Sequence, residues 1–228
     1  MWMNDFISLI YPKICACCGN SLWRHEQVIC TSCEYHLPKT WFHLEHDNPV
    51  SRVFWGRVRV DSVTSYLYFN KGNKVQHLIH HLKYKGRKDI GVYLGSTYGI
   101  CLKKAILFND VEVVIPVPLH KKKELKRGFN QSEQFGIGLA ASMKIQLDTH
   151  TLYRTRSSET QTRKGRYKRW ENVSDIFDVK NPQKMEGKHV LLVDDVITTG
   201  ATLEACIHVL SSIRDIHISV ATIATTKN

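Results

Sequence analysis

Two stretches of this sequence carry side chains whose types and spacing could do chemistry. The first, Val190 to Thr202, reads VLLVDDVITTGAT. Its apolar run ends in two adjacent carboxylates, Asp194 and Asp195. Small hydroxyls follow at Thr198, Thr199 and Thr202, around Gly200 and Ala201. Two neighbouring carboxylates repel, so they call for a partner that offsets them, such as sugar hydroxyls or a bound cation. In parallel sheets ligands sit beyond the carboxyl ends of the strands, and a strand over 189–193 puts the acidic pair at such an end. A helix opening at ITTGAT would offer free N–H groups, a favourable dipole end, a flexible glycine and three hydroxyls, which together suit a phosphate. A diol acceptor beside a phosphate cradle describes a ribose 5-phosphate. The plainer alternative is a helix cap after an ordinary strand end, but a cap needs only one polar residue.

The second stretch, Cys15 to Cys33, reads CACCGNSLWRHEQVICTSC. Cys15 and Cys18 form one C-x-x-C pair and Cys30 and Cys33 another, with 11 residues between. Two such knuckles offer four thiolates to a tetrahedral zinc ion, and four protein ligands close the shell, which makes the site structural rather than catalytic. Disulfides are the weaker reading in a reducing compartment, and no βαβ frame surrounds the pairs to suggest thioredoxin-like chemistry. Cys17 lies between the ligands and could replace one of them. Cys101 and Cys206 fall on apolar helix faces and are expected in the core. His77, His80 and His81 share a helix face without a carboxylate or cysteine beside them, which favours a surface or packing role over metal binding.

The elements that must position these groups can be read from periodicity. Residues 1–10 suit a short amphipathic helix, and 38–50 a connector broken by Pro38 and Pro49. Residues 53–69 predict two strands around Asp61 and Ser62. A helix is predicted over 73–84, ended by Gly86, and another from the spacing of Ile90, Tyr93, Leu94, Tyr98, Cys101, Leu102, Ala105 and Ile106. VEVVIPVP then reads as a buried strand, and Asn130 with Glu133 as a helix start. Strands near 151–154 and 173–179 are joined by an exposed loop. A strand at 189–193, a helix from Gly200 to about Ile213 and a last strand HISVATIA complete the order. This alternation predicts an α/β fold with a mostly parallel sheet flanked by helices, over 49–228, behind a small zinc-ribbon-like module and connector at 1–48.

Composition sets the partners. Of 228 residues, 43% are hydrophobic and 23% charged, as in a soluble globular protein. No apolar run approaches the roughly 20 residues of a membrane helix, and the N-terminus lacks a basic start, so no membrane span or secretory signal is expected and the protein is placed in the cytoplasm. The net charge is +11. Between His120 and Trp170 there are 13 Lys and Arg against 4 Asp and Glu, which points to a polyanionic partner such as phosphates or nucleic acid.

VLLVDDVITTGAT closely resembles the phosphoribosyl diphosphate signature of type I phosphoribosyltransferases. The resemblance implies that Asp194 and Asp195 hold ribose hydroxyls and that Thr198, Thr199, Gly200, Ala201 and Thr202 hold the 5-phosphate. VIPVPLH at 114–120, RGFNQSE at 127–133, YRTRSSETQ at 153–161 and RWENVSDIF at 169–177 are similar to the ComF family of competence-associated phosphoribosyltransferase-like proteins. The cysteine module and IHHLKYKGRKDIG fit as well. This likeness implies a pyrophosphate site near the backbone of Val117, Pro118 and Leu119, with Arg127, Arg154 and Arg156 supplying positive charge. Arg154 to Arg169 would lie in or beside a mobile hood.

Two functions of different class follow. One is a phosphoribosyltransferase that binds phosphoribosyl diphosphate with Mg²⁺ and releases pyrophosphate as an unknown acceptor attacks the ribose C1. Neither aspartate stands out as a general base. Glutamine-dependent amination is not expected, since the chain begins Met1-Trp2 and lacks room for a glutaminase domain. The other is a non-catalytic factor that handles single-stranded DNA during uptake and natural transformation, together with other DNA-uptake proteins. Trp23, Trp41 and Trp55 could then stack bases, although tryptophans more often fill the core.

Overall fold

The computed structural model describes residues 12–70, 72–155 and 176–226. The expected helix over 1–10, the loop between the 151–154 and 173–179 strands, and Arg156 lie outside them. A parallel sheet forms the frame, built from β1 (Ser62–Phe69), β2 (Val113–Pro116), β3 (Gln146–Leu147), β6 (His189–Ile197) and β7 (His217–Thr226) in the order β1-β7-β6-β2-β3. Two short strands, β4 (Leu152–Arg154) and β5 (Phe177–Val179), pair antiparallel beside it. This is the expected mostly parallel sheet.

The central strand β6 explains the frame. Leu191 and Val193 face one apolar layer, and Val190 and Leu192 face the other. Burial on both faces is why the run reads as continuously apolar rather than alternating. The first layer is covered by α2 (Lys74–Tyr84), α3 (Lys88–Lys104) and α5 (Gln131–Met143). The second is covered by α6 (Ala201–Leu210) and by Phe42, Val50 and Phe54 from the chain ahead of β1.

Helices α3 and α5 meet backbone to backbone. A Cβ added at Gly95 would stand 2.9 Å from the Leu139 nitrogen and closer still to the Phe135 carbonyl oxygen, and one at Gly138 would stand 2.6 Å from the Ser96 nitrogen. Gly91, Gly95 and Gly99 recur every fourth residue, so one bare stripe runs along α3. The contact holds α5, and with it the residues at its N-terminus, at a fixed depth against the sheet.

The cysteine segment is a small irregular unit closed by a bridge between Ile14 and Ser21 and by α1 (Thr31–Tyr35). Its Ala16, Val28, Ile29 and Leu37 join the same apolar cluster as Leu78 and Leu82 of α2. The chain then runs alongside β1: Thr40 N–H donates to the Tyr66 carbonyl at 3.0 Å, and Tyr68 N–H donates to the Pro38 carbonyl at 2.9 Å. Among the described residues no helix is long and apolar enough to cross a membrane.

Several local expectations change. The 53–69 region holds one strand rather than two. Ser51–Phe54 is a 3-10 turn, and a further turn at Gly56, whose φ is +69°, separates it from β1. Its alternating apolar residues serve packing, with Phe54 fully buried. Strand β6 runs on to Ile197, so the acidic pair lies inside the last turns of the strand instead of after it. Helix α6 ends at Leu210 rather than near Ile213. A basic helix, α4 (Lys121–Arg127), follows β2 where none was expected. Its N-cap is the His120 side chain, and Gly128 ends it at φ +79°.

Candidate sugar-phosphate site

Asp194 and Asp195 stand near the carboxyl end of the central strand, partly buried. Asp194 Oδ1 accepts from Ser132 Oγ at 2.7 Å and from the Asp195 backbone N–H at 2.8 Å. Asp195 Oδ2 is paired with Lys83 Nζ at 2.9 Å. Burial, and then the neighbouring charge of Asp195, push the Asp194 carboxyl up to about 7. A carboxyl so placed is short of solvation and suited to accept further hydrogen bonds from a ligand's hydroxyls.

The Ser132 contact ends a relay that starts in the loop after β2. Val117 N–H donates to the Val193 carbonyl at 2.9 Å. The Val117 carbonyl accepts from Asn130 Nδ2 at 2.9 Å, and Asn130 Oδ1 accepts from the Ser132 N–H at 3.1 Å as the N-cap of α5. The motif RGFNQSE thus couples the β2 loop to the acidic pair. Val117 is committed to this relay through both backbone groups. Pro118 has no N–H, so of Val117, Pro118 and Leu119 only Leu119 brings a backbone donor that an anion could use.

Beyond Ile197 the chain turns through Thr198 and Thr199, both exposed, to Gly200, which caps α6 at φ +75°. No side chain caps this helix. The threonines are therefore not caps, and the helix presents its first N–H groups and its dipole to a small hollow. Asp194, Thr198, Thr199, Gly200, Ala201 and Thr202 are among the residues that line it. Asp194 and the TTGAT loop line this hollow together, whereas Asp195 turns its carboxylate to Lys83.

The predicted arginines divide. Arg127 stacks its guanidinium 5.6 Å from the Tyr84 ring centre and donates to Gln131 Oε1 at 2.7 Å. It lines a cleft of about 290 Å³ with Lys83, Tyr84, Gly86, Lys123 and Lys126. Four of those six residues are cations and none is acidic, and the cleft adjoins the acidic pair through Lys83. Arg154 instead lies 5.2 Å over the Phe177 ring, with a buried Nε that has no partner among the described residues, and burial lowers its pKa. It is half-buried against Phe177, and among the described residues it makes no hydrogen bond or ion pair with Asp194 or Asp195.

Sequence reasoning gave no role to Lys83, Ser132 or Arg57. Lys83 and Ser132 lie in segments that carry the family likeness. Arg57 hydrogen-bonds the Thr199 carbonyl from 142 positions away, which no local pattern signals.

The Sγ atoms of Cys15, Cys18, Cys30 and Cys33 all lie within 4.8 Å of one another, and this group could hold a metal such as zinc. Cys18 and Cys30 are 3.8 Å apart, close to the roughly 3.8 Å edge of a tetrahedron with Zn–S bonds of about 2.3 Å. Burial alone raises the Cys15 thiol, but N–H donors from Cys30, Cys18 and Cys17 outweigh it and bring it down to about 7. Cys17 is outside the group, and burial followed by the charge of Cys15 pushes it up to about 12. Its position between the ligands does not make it one. Cys206 is fully buried and Cys101 partly so, in line with their core reading. Trp23, Trp41 and Trp55 are 74%, 54% and 60% exposed, so the core expectation for all three is wrong.

The phosphoribosyl transferase domain family matches residues 130–227. The chain is 29% identical over 205 residues to the DNA utilization protein YhgH of Shigella flexneri, covering 86% of this chain and 83% of that one. It is 29% identical over 206 residues to the competence protein ComFC of Bacillus subtilis, covering 89% and 79%. Among solved structures, the glutamine phosphoribosylpyrophosphate amidotransferase of B. subtilis aligns at a TM-score of 0.42 and 20% identity, covering 62% of this chain and 30% of that one.

Proposed function

We propose, for a chain that carries a phosphoribosyl transferase domain and is a homologue of the DNA utilization protein YhgH and the competence protein ComFC, that it binds phosphoribosyl diphosphate and transfers the phosphoribosyl group to an acceptor. The observation that carries this reading is the juxtaposition of the desolvated Asp194 carboxyl, beside Asp195, with a helix N-terminus that no side chain caps. In this reading Asp194 and Asp195 take the ribose 2- and 3-hydroxyls. The loop Thr198 to Thr202 takes the 5-phosphate. Leu119 N–H, Arg127 and the lysines of the basic cleft face the diphosphate. Mg²⁺ enters with the substrate and screens the diphosphate charge. A nucleophile forms a bond to ribose C1 as the C1–O bond breaks, and the electron pair departs with pyrophosphate. The cationic cleft stabilises that charge as it develops. Neither aspartate needs to act as a base. In the same reading the four cysteines hold a structural zinc ion, within a module of residues 1–48 that leads into the domain at 49–228.

The test is calorimetric titration of phosphoribosyl diphosphate with Mg²⁺ into the wild type and Asp194→Asn/Asp195→Asn. Saturable binding that the double variant loses supports the site and justifies screening acceptors by pyrophosphate release. A folded, metal-loaded wild type that binds nothing overturns the reading.

One observation favours a second function, the handling of single-stranded DNA during uptake. The basic cleft includes Tyr84, which is 61% exposed, beside Lys83, Lys123, Lys126 and Arg127. An exposed ring among cations suits a base stacked next to its phosphates. Such binding must weaken steeply with salt as counterions are released. Oligonucleotide affinity that ignores ionic strength excludes it.

A further inference from the structure

We infer that Arg57 is the positioning residue of the phosphate loop: it fixes the Thr199–Gly200 peptide from behind, so that the Gly200 N–H faces the anion. This rests on the sugar-phosphate reading above. Arg57 belongs to the turn after Ser51–Phe54, well before the matched domain begins at residue 130. Its Nη1 donates to the Thr199 carbonyl at 3.0 Å and to the Val53 carbonyl at 3.1 Å. Its Nη2 is paired with Glu204 Oε2.

The consequence follows from peptide geometry. The described peptide bonds are all trans, and in a trans unit the C=O and N–H point in opposite directions. A Thr199 carbonyl held on the Arg57 side therefore turns the Gly200 N–H to the other side. With Gly200 left-handed at the helix start, successive N–H groups converge as in an anion nest. The loop is also braced from behind. A Cβ at Gly200 would stand 2.8 Å from Val53 Cγ1 and 3.4 Å from the Phe54 ring, so these side chains back directly onto the glycine.

Arg57 has a second effect. Glu204 lies in the first turn of α6, where its carboxylate would repel a bound phosphate. The Arg57 guanidinium neutralises it. Arg57 acts through a peptide plane and a counter-charge, without touching the ligand itself.

The experiment uses ¹⁵N-labelled full chain with two probes, ribose 5-phosphate and, separately, pyrophosphate with Mg²⁺. The proteins are wild type, Arg57→Ala, Arg57→Lys and Glu204→Gln. In wild type, ribose 5-phosphate shifts the Gly200 amide. Arg57→Ala and Arg57→Lys each weaken ribose 5-phosphate by roughly ten- to hundred-fold, because a donor to the loop is lost. In both, the Gly200 resonance is displaced before any ligand is added, and pyrophosphate affinity stays the same. Glu204→Gln, which keeps the Thr199 contact and removes the repelling carboxylate, binds ribose 5-phosphate at least as tightly as wild type. Arg57 variants with wild-type ribose 5-phosphate affinity and an unmoved Gly200 amide overturn the inference. So does parallel loss of both probes with amide changes across the whole spectrum, which marks Arg57 as a general structural residue. A folded wild type whose Gly200 amide ignores ribose 5-phosphate overturns the sugar-phosphate reading itself, whatever the variants do.

Discussion

Lys83 Nζ sits 2.9 Å from Asp195 Oδ2, joining the C-terminal end of helix α2 to the acidic pair on the central strand. The contact is partly buried on both sides, with side-chain exposures of 21% and 14%. The protein thus supplies a cation of its own to Asp195, beside the neighbouring carboxyl of Asp194. Replacing that cation tests how much the pair depends on it. Lys83→Met is expected to lose about 1–3 kcal/mol of stability at pH 7.5, less than a fully buried pair because solvent screens it. The loss should shrink at high ionic strength, which screens a partly exposed pair. Thermal melts at low and high salt decide the matter, and a salt-independent loss would point to packing instead.

Asp194 offers the opposite sign. Its folded-state pKa of about 7 lies above the ordinary 3.8. Between those values the folded state keeps a proton that the unfolded chain has released, so stability falls as pH rises through this window and levels off above about 7. Asp194→Asn removes the charge at every pH. It is expected to be more stable than wild type by about 1–3 kcal/mol above pH 7, with the gain fading toward pH 4. A gain of stability together with a loss of sugar-phosphate affinity would identify the residue as one kept for binding.

The glycine stripe predicts a large effect from a small substitution. Gly95→Ala places a methyl group inside contact distance of the α5 backbone, which cannot rotate away as a side chain can. The helices must separate, at a cost of about 3 kcal/mol or more. Gly187→Ala is the comparison. No atom lies within 4 Å of its Cβ position, so only backbone strain at φ +66° applies, and the cost is about 1 kcal/mol. Chemical denaturation of the two variants should separate them clearly.

Metal content distinguishes the cysteines. Cys33→Ser removes one ligand of the four-sulfur group, whereas Cys17→Ala removes a buried thiol outside it. The first is expected to lose stoichiometric zinc and to expose the 12–37 segment to protease. The second should keep one zinc per chain and lose only about 1–2 kcal/mol of packing. Equal zinc loss in both would mean that Cys17 shares the site.

Much of this was legible in the sequence because the signals were local. The apolar run of β6, the spacing of α3, the Asn130 cap and the two cysteine pairs each lie within a few turns or one strand. The missed features join distant segments. Arg57 meets Thr199, Lys83 meets Asp195, and Ser132 meets Asp194, and each depends on how the sheet order places elements that are far apart in the chain. Residues 53–54 misled for a related reason. Val53 and Phe54 are of the β-branched and aromatic types that strands favour, but their partner is the Gly200 loop rather than a neighbouring strand. The tryptophans misled because size alone suggests burial, while their positions on turns at the surface leave them exposed. Arg154 sets its guanidinium over Phe177 of the neighbouring strand, a pairing that charge alone does not signal.

The strand order also sets a timetable. In the sheet, β7 lies between β1 and β6, and β2 finds its partners in β3 and β6. Strand β1 therefore leaves the ribosome with no sheet neighbour in existence, and waits until Thr226 has been made. At about 5–20 residues per second, that interval is on the order of ten seconds. The cysteine segment, made earlier, lies against α2 and the strip beside β1, so it is in place to shield part of that waiting surface while the nascent chain is still incomplete.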